Sequence, residues 1–195
     1  MIHRITSVLT GPEGEFDHGG VVLGAYLYED YGIKSPRILK KRNGKYYNFY
    51  NAANGNIEQM GLATSNDLHK WERYEHNPVI PVGSEGSFNE RFSSDSKIFW
   101  EKEHWVSFFF GVGQDGAHIM AAFSRDLYHW SVDPEPLYKA GGNPSGLDGQ
   151  YAHKISLVWN PSNLTYYIFY CAVLMDLIIH RLYNQMGHQN CIPRP

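Results

Sequence analysis

Apolar residues in this chain fall into short runs, rich in aromatic and β-branched side chains and bounded by polar, glycine-bearing segments. Helical spacing of apolar positions is nearly absent, so the runs predict strands and an all-β chain. One group of four occupies residues 36–39, 46–50, 59–64 and 78–82; a second occupies 96–99, 105–109, 119–123 and 136–139. Asn43-Gly44 predicts a hairpin turn before residue 46, because both residues tolerate the positive φ such turns need. Glu103-His104 fills the same place in the second group. Pro78, Pro81 and Pro136 put the fourth strand of each group at an edge, where a missing N–H costs little.

The two groups say the same thing. Gly61-Leu62-Ala63-Thr64-Ser65-Asn66-Asp67-Leu68-His69-Lys70-Trp71 is answered by Ala121-Ala122-Phe123-Ser124-Arg125-Asp126-Leu127-Tyr128-His129-Trp130. Asp67 and Asp126 are 59 positions apart, as are Trp71 and Trp130. A third opening, Tyr166-Tyr167-Ile168-Phe169-Tyr170, begins 61 residues after Trp105. A strand-built period of this size predicts sheets repeated around an axis, with Gly-rich links at 83–93 and 141–150. Residues 19–23 read as the outer strand of a preceding blade and 28–32 as its link. Because an active site occurs once, the recurring Asp67 and Asp126 are assigned to turn capping, and Trp71 and Trp130 to the core.

After Val173 no further Ser-x-Asp-Leu-x-x-Trp unit follows; residues 174–183 have helix-like character and lead into a polar tail. The expected architecture is therefore a partial propeller of about three four-stranded antiparallel blades over residues 1–173. A non-repeat tail occupies 174–195.

Composition narrows the function classes. A formal charge of −3 offers no basic nucleic-acid surface. Cys171 and Cys191 make neither a zinc pattern nor a disulfide framework, and no metal or cofactor is expected. Residues 174–182 are interrupted by Asp176, His180 and Arg181 and are too short to span a bilayer. No apolar leader is visible at the N-terminus, so a soluble, cytoplasmic chain is the default expectation. There is no Gly-x-Ser-x-Gly elbow and no phosphate-cradling Gly-Lys loop. Fourteen tyrosines and five tryptophans suit strands and sugar-stacking surfaces alike.

Several segments resemble the five-bladed β-propeller glycosidase superfamily of arabinanases, β-xylosidases, invertases and β-mannoside phosphorylases. They are Gly44 to Tyr50, Gly61 to Trp71, Asn77-Pro78-Val79-Ile80, Ser94-Asp95-Ser96, Ala152-His153-Lys154 and Phe169-Tyr170-Cys171-Ala172-Val173. The resemblance covers roughly residues 19–173, so the ring is expected to be incomplete. It implies that catalytic acids sit at the start of the innermost strands, at Lys34-Ser35-Pro36, Ser94-Asp95-Ser96 and His153-Lys154-Ile155. Pro36 keeps the family's habit, whereas Ser96 and Ile155 depart from it.

Glycoside cleavage needs two carboxyl groups, about 5–5.5 Å apart for retention and about 6.5–9.5 Å for inversion. The resemblance nominates Asp95 first, with Asp30 and Asp148 as partners. His153, Lys154, Arg91, Arg37 and Trp100 are nominated as substrate contacts, and Arg91 also as an ion-pair partner lowering the pKa of Asp95. Each has a plainer role open to it: turn capping for Asp95, solvated loop acids for Asp30 and Asp148, a surface charge for Arg91. The expected partner is an oligo- or polysaccharide, with self-association through open sheet edges as a further expectation. Two alternatives stand beside cleavage: a sugar-binding propeller without catalysis, and an inactive glycosidase fragment. The first gains from the lack of a Glu at the third inner strand, where many relatives keep their general acid.

Overall fold

The computed structural model describes residues 13, 16, 20–26, 43–141, 149 and 151–173, with residues 20–26 described by their backbone. Ten strands form one sheet and, among the described residues, there is no helix. They are β1 (Gly20–Tyr26), β2 (Tyr46–Asn54), β3 (Ile57–Ser65), β4 (Glu72–Arg73), β5 (Phe92–Glu101), β6 (His104–Gly113), β7 (Gly116–Ser124), β8 (Trp130–Val132), β9 (Tyr151–Asn160) and β10 (Thr165–Val173). The path runs β1-β2-β3-β5-β6-β7-β9-β10, with β4 on β3 and β8 on β7.

Within each unit the pairing is antiparallel and extended. Between units it is parallel and lasts one rung: Glu58 opposite Phe92, and Ala117 opposite Tyr151. Those rungs are 59 positions apart, so the sequence period is also the spatial one. Sheets that meet at one rung and then diverge are the blades of a partial propeller.

Burial follows from that fan. Tyr47, Phe49, Met60, Leu62, Val79 and Ile80 of the first unit pack against Trp105, Phe109, Met120, Ala122 and Leu127 of the second. Phe99, Phe108, Val106, Leu157, Tyr166 and Ile168 fill the next junction. The second unit is therefore covered on both faces, and β7 is buried at every position but Phe123. In β10, Tyr166 and Ile168 face that junction, while Tyr167 and Phe169 are exposed at 43% and 60%. The period-two alternation of a half-covered sheet accounts for the difference.

The recurring Ser-x-Asp-Leu-x-x-Trp element is a turn, as its repetition implied. Ser65 Oγ accepts from the amides of Asp67 and Leu68, and Asp67 Oδ1 accepts from those of His69 and Lys70, both at 2.8 Å. Ser124 and Asp126 repeat the pattern, and Trp130 Nε1 donates to the Leu127 carbonyl at 2.9 Å. Leu68 and Leu127 both take a positive φ, 67° and 75°. The amides of Lys70 and His69 hold the Asp67 carboxyl at about 2. At Asp126 partial burial opposes ionisation, but bonds from the His129 ring and from the turn amides outweigh it, again giving about 2. A depressed folded-state pKa means stability that is complete above the unfolded value near 4 and lost as pH falls towards 2. Asp126→Ala should therefore flatten the acid limb of melting temperature against pH between about 4 and 2. An unchanged limb would show that these bonds do not stabilise the fold.

Three expectations need correction. β1, read as the outer strand of a preceding blade, pairs with β2 as the inner strand of the first unit. Its bulge between Val22 and Ala25 matches the one in β5, and its β-branched residues suit an inner place equally well. The fourth strands come earlier than the proline-bearing runs: β4 and β8 follow the Trp turn directly. Residues 78–82 and 136–139 contribute only the bridges Met60–Ile80 and Ile119–Tyr138, because proline cannot donate to a continuous ladder. The second hairpin turns on Lys102-Glu103, with Lys102 at φ 54° and His104 already in β6. Asn43 and Gly44 do take positive φ, but residues 36–39, Arg37 among them, lie outside the described residues. So do residues 174–195.

Candidate active site

Asp95 sits in a β-bulge. Ser94 is opposite Phe110 and Lys97 opposite Phe108, so Asp95 and Ser96 share the space facing Phe109. The extra residue turns the backbone, and Asp95 takes φ 54°. Few residues other than glycine accept that conformation, and aspartate is one of them. The bulge is clamped from the preceding unit. Buried Asn51 of β2 donates from Nδ2 to Asp95 Oδ1 at 2.9 Å and accepts from the Asp95 amide at 3.1 Å. The Asp95 side chain therefore points towards β2 of the preceding unit.

A second carboxyl group joins it there. Glu58 is the second residue of β3, its amide donates to the Arg91 carbonyl at 3.0 Å, and its Oε1 accepts from the Ser94 hydroxyl. Burial pushes the Glu58 carboxyl above the usual carboxylate range; the Ser94 bond opposes this and the Asp95 charge adds to it. A half-buried acid whose pKa is raised beside another carboxylate is one way an acid and a base are set apart in one site.

The third unit brings His153 and Lys154. His153 is opposite Cys171 and Ser156 opposite Phe169, so Lys154 lies in a bulge equivalent to that of Asp95, at φ 51°. The His153 ring meets Phe110 edge-on at 5.8 Å. Burial, then the neighbouring Lys154 charge, lowers the His153 pKa, while Asp95 pulls it up. His153 thus stands within electrostatic reach of both.

Of the nominated residues, Asp95, His153 and Lys154 are brought together. Arg91 is not an ion-pair partner of Asp95: it is exposed, and its Nε pairs with Glu90 at 3.7 Å. Trp100 stands five positions further along β5, roughly 15 Å away at strand rise. It packs against Trp105 at 5.0 Å in the first core cluster rather than facing the bulge. Asp30, Asp148 and Arg37 lie outside the described residues. Glu58 and Asn51 were missed, although a signal existed. Moving each forward by one 59-residue period gives Ala117 and Phe110, so both break the repeat that Asp67 keeps. Among the described residues, no group of three or more His, Cys, Asp or Glu side chains could hold a metal ion. No helix among them is long and apolar enough to cross a membrane.

The family described as glycosyl hydrolases family 32 N-terminal domain matches residues 14–147. The structure is similar to a glycoside hydrolase family 32 β-fructofuranosidase of Bombyx mori, with 20% identity and a TM-score of 0.54 over 69% of this chain and 28% of that one. A variant of that enzyme in complex with sucrose gives 19% identity and a TM-score of 0.53, over 70% of this chain and 29% of that one. A family 117 glycoside hydrolase of the marine bacterium Zobellia galactanivorans gives 13% identity and a TM-score of 0.55, over 85% of this chain and 47% of that one. The chain thus spans less than half of each. No curated protein sequence matches it.

Proposed function

Because the chain belongs to the family of glycosyl hydrolases family 32 N-terminal domains, we propose that it acts on glycosidic bonds through Asp95 and Glu58. The observation that carries this reading is the bulge at Asp95, clamped by Asn51 and set beside the raised-pKa Glu58. Glu58 keeps its proton to higher pH than a free glutamate and donates it to the leaving oxygen. Asp95 serves as the base or nucleophile on the opposite side of the sugar. His153 and Lys154 contact the sugar from the third unit.

The test is turnover of sucrose and of nitrophenyl arabinosides, xylosides and fructosides by the full chain, followed against pH. A raised acid pKa means activity that is present below it and falls as pH rises through it. Glu58→Gln should lose that falling limb and most of the turnover of substrates with poor leaving groups, while activated nitrophenyl substrates, which need little protonation, lose less. An unchanged profile would remove Glu58 from the chemistry. One observation favours a second reading, sugar binding without cleavage: the third bulge carries Lys154 where the second carries an acid. Saturable binding with no turnover of any glycoside would select it.

A further inference from the structure

Asp95 and Lys154 are, among the described residues, the two non-glycine residues with positive φ inside strands; the others occupy turns. They stand 59 positions apart in equivalent bulges of adjacent inner strands, yet they carry opposite charges. Aspartate tolerates this backbone region better than a long side chain does. Backbone strain of this kind persists where surrounding structure enforces it, and it collects at functional sites. The contact from the preceding unit has changed to match. Asn51 hydrogen-bonds the Asp95 bulge, and its period-mate Phe110 lays an apolar ring against His153 beside the Lys154 bulge. That ring helps keep the imidazole uncharged, so His153 offers a neutral hydrogen-bonding edge beside a full cation. Lys154 is exposed and, among the described residues, has no ion-pair partner.

From this juxtaposition we propose that Lys154 and His153 form a subsite for an anionic substituent on the sugar, a carboxylate or a sulfate ester, making acidic oligosaccharides the substrate class. The proposal rests on the sugar-cleaving reading of the same site. Asp95 repels an anion, so the charged substituent lies on the third-unit side and the scissile bond on the Asp95–Glu58 side. The ammonium gives a point-charge contact and the imidazole a directional one.

The experiment is calorimetric binding to the full chain of trigalacturonate, its neutral counterpart galactotriose, and a 6-sulfated galactobiose, with cleavage of each followed separately. Acidic sugars should bind about tenfold more tightly than neutral ones, and added salt should erode the difference. Lys154→Asn removes the charge while keeping a residue that tolerates the backbone, and it should abolish the preference; Lys154→Arg should keep it. The carboxylate and sulfate arms show which substituent is recognised. Equal binding of acidic and neutral sugars by the wild type, or a preference that survives Lys154→Asn, overturns the subsite. The wild-type comparison does not depend on the variants folding. Asp95-dependent cleavage of neutral glycosides without acidic preference would sink this proposal and leave the cleavage reading standing. Lys154-dependent binding without cleavage would do the reverse, and no binding of any sugar would end both.

Discussion

Asp95→Asn is expected to lower glycoside turnover by about 10²–10⁴-fold, the scale of a lost acid–base group, while the protein still melts cooperatively. Asparagine is isosteric, and it is among the few residues that accept a φ near 54°. Its side-chain oxygen can still accept from Asn51 Nδ2, so the bulge and its clamp survive. What disappears is the negative charge. Removing that charge also takes away one of the influences that raise the Glu58 pKa, so any residual activity should decline at lower pH than in the wild type. Asp95→Ala is the contrasting change. It strands Asn51 without its side-chain partner and puts a poorly suited residue at positive φ, so it should lose stability as well as turnover. Full turnover in a folded Asp95→Asn protein would take Asp95 out of the mechanism.

The largest stability effect should come from the junction between the first two units. Phe109 is fully buried there, in the cluster that also holds Phe49, Met60 and Leu62. Truncating such a ring to alanine costs about 3–5 kcal/mol, a large part of the roughly 5–15 kcal/mol that holds most domains together. At this chain length that corresponds to a fall in melting temperature of roughly 6–20 °C. Phe169→Ala deletes the same atoms from a residue that is 60% exposed on the open face of the third unit, and should cost far less. The pair isolates burial from chemistry, because the side chain removed is identical. Similar losses at both positions would mean that Phe169 is covered in solution or that the first junction is not where the fold is held.

The repeat explains which parts of this protein could be read in advance. Asp67 and Asp126 recur, and the structure gives both the same turn with the same bonds to following amides. A local motif of a few residues contains all its own partners, so its sequence is sufficient. The strands were legible for a similar reason, as aromatic and β-branched runs between turns have few other outcomes. Arg91 shows the limit. It stands four residues before Asp95, yet an adjacent acid, Glu90, takes its guanidinium. Trp100 shows it again: nearness in sequence along an extended strand is distance in space, and the ring meets Trp105 across the hairpin instead.

A family resemblance nominated Asp95 and His153-Lys154, and by itself the sequence determined an all-β chain of repeated units and the capped turns closing their third strands. Those follow from side-chain preference and short-range bonding, which act within a few positions. Tertiary structure alone decided that Asn51, 44 positions away, clamps Asp95, and that Glu58 shares its site through Ser94. It also decided that β1 pairs with β2 as an inner strand. Such choices turn on which sheet faces which, and the energy that settles them comes from apolar surface buried between units far apart in the chain.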